Sequence, residues 1–247
     1  MALLSVAEAL ARVTQGLEPL EVERVPLEQA RGRVLSEDVA AGLTQPPFDA
    51  SAMDGYAVRA ADVAALPAAL RLIGEALAGR GFEGQVGQGE AVRIFTGAPV
   101  PKGADTIVIQ EDTEAAPGVV TVKEAAPRRH IRPRGQDFTE GEVLLRAGTR
   151  LGPRELMLAA AMNHAELPVR RKPKIAILST GDEIVPPGSH PRPDQVISSI
   201  AYGLAALIEA EGGEALPLGI AKDTPESIIT LARAGSASDI LLTIGGA

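Results

Sequence analysis

The chain predicts a multidomain α/β protein: a mixed α+β N-terminal region with a mostly β insertion, followed by a parallel α/β domain. Three observations predict it. The chain opens with a helix that carries its own cap. From Leu43 to about Pro127, short β-like runs alternate with Gly and Pro. From Lys174 onward, strand-like and helix-like segments alternate, the order expected of a parallel sheet.

Ser5-Val6-Ala7-Glu8 is a capping box, in which Ser and Glu side chains satisfy backbone N–H groups of the first turn. Ala9, Leu10, Val13 and Leu17 follow at helical spacing, so a first helix is expected to end near Gly16. Leu27 to Arg33 reads as a second, short helix. Ala91 to Phe95, Thr106 to Ile109 and Val119 to Val122 read as strands of the insertion. Arg154 to Ala161 looks helical. Pro168 to Pro173, with Arg170, Arg171 and Lys172 between its prolines, reads as a linker.

Lys174 to Ser179 is a short apolar run suited to a buried parallel strand. Ser198 to Glu211 is an Ala/Leu-rich helix stopped by Gly212-Gly213. Ala215 to Ile220 is the second strand. The next helix is capped either by Asp223, with Glu226 three residues on, or by Thr224 with Pro225 at the first helical position. Asp239 to Ile244 is the third strand. The expected domains are 1–43 with 137–168, an inserted β domain over 44–136, and an α/β domain over 173–247.

The chain has 247 residues, 45% of them apolar but only 2% aromatic, so its cores must be built from Ala, Val, Leu and Ile. It has no cysteine, which excludes a disulfide scaffold, a thiolate metal site and a Cys nucleophile. His130, His164 and His190 are scattered, which argues against a His-rich metal site. The net charge of −8 argues against nucleic-acid binding through phosphates. With no signal-peptide pattern and no long apolar run, the protein is expected to be soluble and cytoplasmic, with no membrane partner.

Two stretches carry chemistry. Pro46-Pro47-Phe48-Asp49-Ala50-Ser51-Ala52-Met53-Asp54-Gly55-Tyr56-Ala57-Val58 combines two carboxylates, a hydroxyl, a phenol and a glycine. The prolines fix φ and remove donors, so the run is entered from an extended loop. Asp49 and Asp54, five residues apart, can face one pocket if the loop curls. A turn whose Asp and Ser side chains bond their own backbone is the plainer reading. The second stretch, Lys174 to Ile184, runs as an apolar strand into Ser179-Thr180-Gly181-Asp182-Glu183. Small, hydroxyl and acidic residues at such a strand end lie where open α/β sheets bind ligands.

The runs Pro47 to Val58 and Ile177 to Gly188 together resemble motifs of the MoeA family, the molybdopterin molybdenumtransferases, which includes the E domain of gephyrin. Further matches follow in order. Thr96-Gly97-Ala98-Pro99-Val100-Pro101-Lys102-Gly103-Ala104-Asp105 is similar to the TGAPxPxGAD segment. Arg132 to Asp137 resembles R-x-x-G-x-D, and Gly219 to Asp223 resembles G-I-x-x-D. The final Gly245-Gly246-Ala247 looks like the start of G-G-x-S-x-G-x-x-D. This implies a MogA-like α/β domain that stops inside a site motif, and so a chain with little activity as given.

The resemblance implies insertion of molybdate into the dithiolene of adenylylated molybdopterin, with release of AMP and help from Mg²⁺. It places Asp49, Asp137, Glu183 and Asp223 at acidic site positions. Asp49, Glu183 and Asp223 are candidates to hold the metal against the pyrophosphate. Asp223 is otherwise a helix cap, and Asp137 a turn residue. Ser51, Asp54, Tyr56, Thr96, Gly97, Thr180, Gly181, Asp182, Gly245 and Gly246 are the expected substrate contacts. Backbone N–H groups at Thr180-Gly181, Gly245-Gly246 and Thr96-Gly97-Ala98 suit phosphate oxygens.

Lys102, Arg132 and Arg134 add positive charge or are simply solvated. Met53 and Tyr56 suit an apolar wall beside the pterin, although Met53 suits a core as well. Ala50 and Ile200 depart from the family, which has Asn at both positions; Ile200 removes an amide that could donate or accept. The resemblance also implies a homodimer, with the acidic loop of one subunit facing the α/β domain of the other, and a MogA-type adenylyltransferase as partner. A non-catalytic scaffold and a pterin- or nucleotide-binding domain are the competing classes.

Overall fold

The computed structural model describes residues 4–124 and 130–245. Helix α1 (Val6–Thr14) precedes strand β1 (Val22–Pro26). Strands β2 (Gly55–Val58), β3 (Ala68–Ala76), β4 (Glu90–Ile94), β5 (Thr106–Ile109), β6 (Thr113–Ala116) and β7 (Val119–Val122) follow. Then come α2 (Pro153–Ala161), β8 (Glu166–Arg170), β9 (Lys174–Thr180), α3 (Ile200–Ala210), β10 (Glu214–Ala221), α4 (Pro225–Ala234) and β11 (Ile240–Ile244). The chain divides into two compact units, one spanning 39–144 and 158–164, the other the described parts of 1–38, 145–157 and 165–247.

The first unit, the β unit, is built on a sheet of order β5-β2-β4-β3-β7-β6, in which β3 and β4 are parallel and the other pairs antiparallel. Side chains alternate between its two faces. Tyr56, Val58, Leu70, Val108 and Val120 form one cluster, and Ala57, Val92, Ile94 and Ile107 the other. Both faces are therefore covered. Each buried aliphatic chain contributes roughly 1.5–3 kcal/mol, so small residues suffice where aromatics are scarce.

The second unit, the α/β unit, holds a parallel sheet of order β10-β9-β11. Central β9 is buried from Ile175 to Ser179, as a strand covered on both faces must be. Gly213, just after α3, packs on Ile175, and Gly235, at the end of α4, packs on Ala176. Consecutive strand residues point to opposite faces, so α3 and α4 lie on opposite sides of the sheet. Asp239 anchors the start of β11, accepting from two Arg171 nitrogens and from the Lys174 backbone N–H, each at 2.7 Å. Arg171, first, and the Lys174 N–H hold its carboxyl at about 2.

The predicted α/β class, with its β insertion, is the one observed. The capping box forms as read, with Ser5 Oγ accepting from Glu8 N–H at 3.2 Å. Two expectations need correction. Only Leu27–Gln29 is helical, as one 3₁₀ turn; Arg33 leaves that path to pair with Glu23 and donate to Arg170 O. The first half of the expected linker, residues 168–170, belongs to strand β8, paired antiparallel with β1. The linker's arginines are bonded rather than solvated: Arg170 donates to Leu20 O at 2.8 Å, and Arg171 pairs with Glu21 and Asp239. Of the two caps read for α4, Thr224 is the one used, accepting from Ser227 N–H at 3.3 Å. Among the described residues, no helix is long and apolar enough to cross a membrane.

Candidate functional site

In the β unit, three sequence-distant loops meet. Ala50–Ser51 pairs with Ile131–Arg132. The Ser51 N–H donates to Ala98 O, and the Gly97 N–H to Ser51 O, both at 2.9 Å. The loop before β2 is thereby fixed between the segment after β4 and residues 131–138. Asp49 is exposed, and its Oδ1 accepts from the Arg134 backbone N–H at 2.7 Å. Arg134 Nε donates to Pro47 O at 3.1 Å. Arg134 thus clamps the acidic loop rather than standing free in solvent. Asp137 pairs with Arg132 through both oxygens at 2.9 Å.

Asp54 Oδ1 accepts from both the N–H and the hydroxyl of Thr96, each at 2.8 Å. The Thr96 N–H, its hydroxyl and the nearby Arg93 charge hold the Asp54 carboxyl below the usual carboxylate range. Two expected contacts turn inward. Ser51 is buried and donates to Met53 O at 2.6 Å, which makes a local turn. Tyr56 belongs to the core, with the Arg93 guanidinium stacked 5.0 Å from its ring centroid. Its ring is therefore unavailable as a wall for a pterin. Met53 is 40% exposed and does not pack in the core.

The expected phosphate cradle at Thr96-Gly97-Ala98 does not fit either. All three N–H groups are committed, to Asp54 Oδ1, Ser51 O and Phe95 O respectively.

In the α/β unit, the C-terminal ends of all three parallel strands carry candidate residues. Thr180 ends β9 and Gly181 to Glu183 follow it, Asp223 follows β10, and Gly245 follows β11. The Gly181 N–H donates to Ala221 O at 3.1 Å, so it is not the open amide that was expected. The N–H groups of Asp182, Glu183 and Gly245 are the ones that find no acceptor among the described residues. Gly181 is needed for shape. Its φ is +150°, and a Cβ there would lie 2.5 Å from Glu183 Oε2. A Cβ on Gly245, at φ +156°, would overlap Thr180 Oγ1. Gly246 lies outside the described residues.

Asp182 Oδ1 accepts weakly from the Asp223 N–H at 3.4 Å. The carboxylates of Glu183 and Asp223 are exposed and accept no hydrogen bond among the described residues. No group of three or more metal-ligating side chains is assembled among those residues. The donor set still suits Mg²⁺, which commonly takes one or two carboxylates and completes its shell with water and substrate phosphate. Asp49 belongs to the other unit, so Asp182, Glu183 and Asp223 are the acids that this strand edge brings together.

Two features escaped sequence reasoning. Arg93 sits opposite Tyr56 in the β2–β4 register; an Arg set between Val92 and Ile94 was the available signal. Between α3 and strands β9 and β10 lies a cavity of about 390 Å³, lined by Ile177, Ser179, Ser198, Tyr202, Pro217 and Ile220. Its lining comes from segments far apart in sequence, so no local pattern announced it. Ile200 starts α3 and is 59% exposed. Ser199 at the N-cap makes no side-chain cap bond.

Comparison with known proteins gives a consistent picture. Residues 4–163 match the model of the MoeA N-terminal region (domain I and II), and residues 176–247 that of a probable molybdopterin binding domain. A molybdopterin molybdenumtransferase of Nostoc sp. is 38% identical, over 92% of this chain and 53% of its own length. Molybdopterin molybdenumtransferase 2 of Mycobacterium tuberculosis is 38% identical, over 98% of this chain and 61% of its own. The crystal structure of a molybdopterin biosynthesis MoeA protein from Pyrococcus horikosii superposes with a TM-score of 0.84 at 36% identity, covering 97% of this chain and 63% of that one. The chain thus spans 53–61% of the length of these two curated relatives.

Proposed function

The chain belongs to the MoeA family, and from that premise we propose that the whole protein inserts molybdate into adenylylated molybdopterin and releases AMP. The observation that carries this reading is the strand-end constellation of the α/β unit. Three parallel strands end together, and they bring N–H groups at Asp182, Glu183 and Gly245, open among the described residues, beside the carboxylates of Glu183 and Asp223. Amides suit the phosphate oxygens of an adenylylated substrate. Carboxylates suit a hard cation beside the same phosphates. Sites of this kind form at strand C-termini in open α/β sheets.

Each part has a defined task. The open amides orient the substrate phosphate. The cavity beside α3 takes a face of the flat pterin ring, the role that the buried Tyr56 does not fill. Mg²⁺, held by Glu183 and Asp223, would neutralise charge on the phosphate when bound. Asp49, set by the Arg134 backbone N–H, supplies fixed negative charge from the β unit, where Asp137 is held in place by Arg132. The family resemblance further supports a homodimer in which that charge faces the partner's α/β unit. It also supports a MogA-type adenylyltransferase as the source of substrate, and work in the cytoplasm.

The test is kinetic. Asp49→Asn and Glu183→Gln keep side-chain size and remove charge. Each should lower the rate of molybdenum insertion and AMP release more than it lowers affinity for adenylylated molybdopterin. An unchanged insertion rate in either variant would remove that residue from the mechanism. A whole protein that binds the substrate yet releases no AMP in the presence of molybdate would overturn the reading.

A further inference from the structure

We infer that Asp54 is a positioning residue for Thr96, and that the Thr96–Gly97 turn meets its ligand only through hydrogen-bond acceptors. The ligand's identity rests on the molybdenum-insertion reading. A single carboxylate oxygen, Asp54 Oδ1, takes both the N–H and the hydroxyl proton of Thr96 at 2.8 Å. A threonine hydroxyl has one proton to give. With that proton on Asp54, Thr96 Oγ1 presents lone pairs to solvent. The next two amides are also spent, on Ser51 O and Phe95 O, both at 2.9 Å. A phosphate oxygen therefore finds no donor at this turn. Any group that docks here must itself donate, as an amino or amide N–H group or a cation-bound water does.

The support beneath Asp54 is built from the ends of two strands. Asp54 directly precedes β2, and Thr96 follows β4 by two residues. The Arg93 guanidinium lies 5.0 Å from the Tyr56 ring centroid and 4.9 Å from that of Phe95. It donates to Gly55 O at 3.3 Å and to Gln110 Oε1 at 2.7 Å. One planar cation therefore ties the residues next to Asp54 to the residue next to Thr96. Such a stacked, forked contact is specific to Arg. Two motifs 42 residues apart act as one rigid element.

The test compares Asp54→Asn with Asp54→Ala. The asparagine keeps a carbonyl oxygen that can accept both Thr96 donors; the alanine keeps none. In the whole protein, Asp54→Ala should lower kcat for molybdate insertion about 100-fold, the scale set by misplacing a site group, with KM changed less than about threefold. Asp54→Asn should lower kcat by less than about tenfold, since it loses charge but keeps both hydrogen bonds. Equal loss in the two variants would assign Asp54 a charge role and overturn the inference.

Amide hydrogen exchange gives a readout independent of activity. The Thr96 N–H should be protected in the parent and in Asp54→Asn and exposed in Asp54→Ala, with Tyr56 in β2 unchanged in all three. A Thr96 amide that exchanges freely in the parent would overturn the inference outright. A parent that inserts no molybdate but shows this exchange pattern would remove the functional reading and leave the positioning role standing.

Discussion

Strands β4 and β11 are equal in length and opposite in circumstance. Glu-Ala-Val-Arg-Ile of β4 buries Ala91, Val92 and Ile94 completely. Ile-Leu-Leu-Thr-Ile of β11 is more aliphatic, yet Ile240 and Leu241 stand 43% and 42% exposed. The difference lies in the neighbours. β4 is paired on both sides and covered on both faces, whereas β11 is an edge among the described residues. An aliphatic run therefore predicts a strand but not its burial. The candidate residues divide the same way. Asp49, Asp54 and Asp137 of the β unit are held by hydrogen bonds from Arg134, Thr96 and Arg132. Glu183 and Asp223 of the α/β unit are held by none among the described residues. One unit is preorganised and the other open to a ligand.

The burial contrast should give the largest effect. Ile94→Ala, in the covered sheet, should cost about 2–5 kcal/mol in urea unfolding followed by a β-unit probe. Leu241→Ala, at the exposed edge, should cost under about 1 kcal/mol by an α/β-unit probe. Equal costs would break the comparison.

Gly181→Ala comes next. Its φ of +150° strains any side chain, and the new Cβ would press on the Glu183 carboxylate. A loss of about 1–3 kcal/mol is expected, together with weaker binding of adenylylated molybdopterin. Wild-type stability would show that the loop relaxes freely.

Thr224→Ala removes the cap of α4 and should cost about 1 kcal/mol by thermal unfolding. Asp223→Ala in the same assay should cost less, because Asp223 does not cap. The reverse order would restore the alternative cap.

The pH dependence should be the smallest effect, since Asp239 and Arg171 are partly exposed. The folded carboxyl of Asp239 is held at about 2, below the ordinary value near 3.9. Its stabilisation is thus complete above about pH 4 and is lost as pH falls towards 2. Asp239→Asn should flatten that part of the stability profile; an unchanged acid slope would show that the pair contributes nothing measurable.

What could be read from the sequence follows from the range of each interaction. Capping boxes, glycine stops and apolar runs act within a few residues, so α1, α3 and β9 were legible. The bond between Arg171 and Asp239 spans 68 residues, and without it Pro168 to Pro173 reads as a linker. At the site, the loops at Asp49, Thr96, Thr180 and Asp223 stood out by residue type. Which of their amides were open did not, because that depends on partners brought in by the fold. Gly97 and Gly181 looked like anion-binding glycines, yet the N–H of each is spent on a backbone carbonyl.

The division of labour between the two units can be tested by following backbone amides by NMR while adenylylated molybdopterin is added to the protein. Shift changes and slowed exchange are expected at Asp182, Glu183 and Gly245, with the amides of Thr96, Gly97 and Ala98 holding their protection throughout. Phosphate-dependent changes confined to Thr96, Gly97 and Ala98, with the strand-end amides silent, would contradict it.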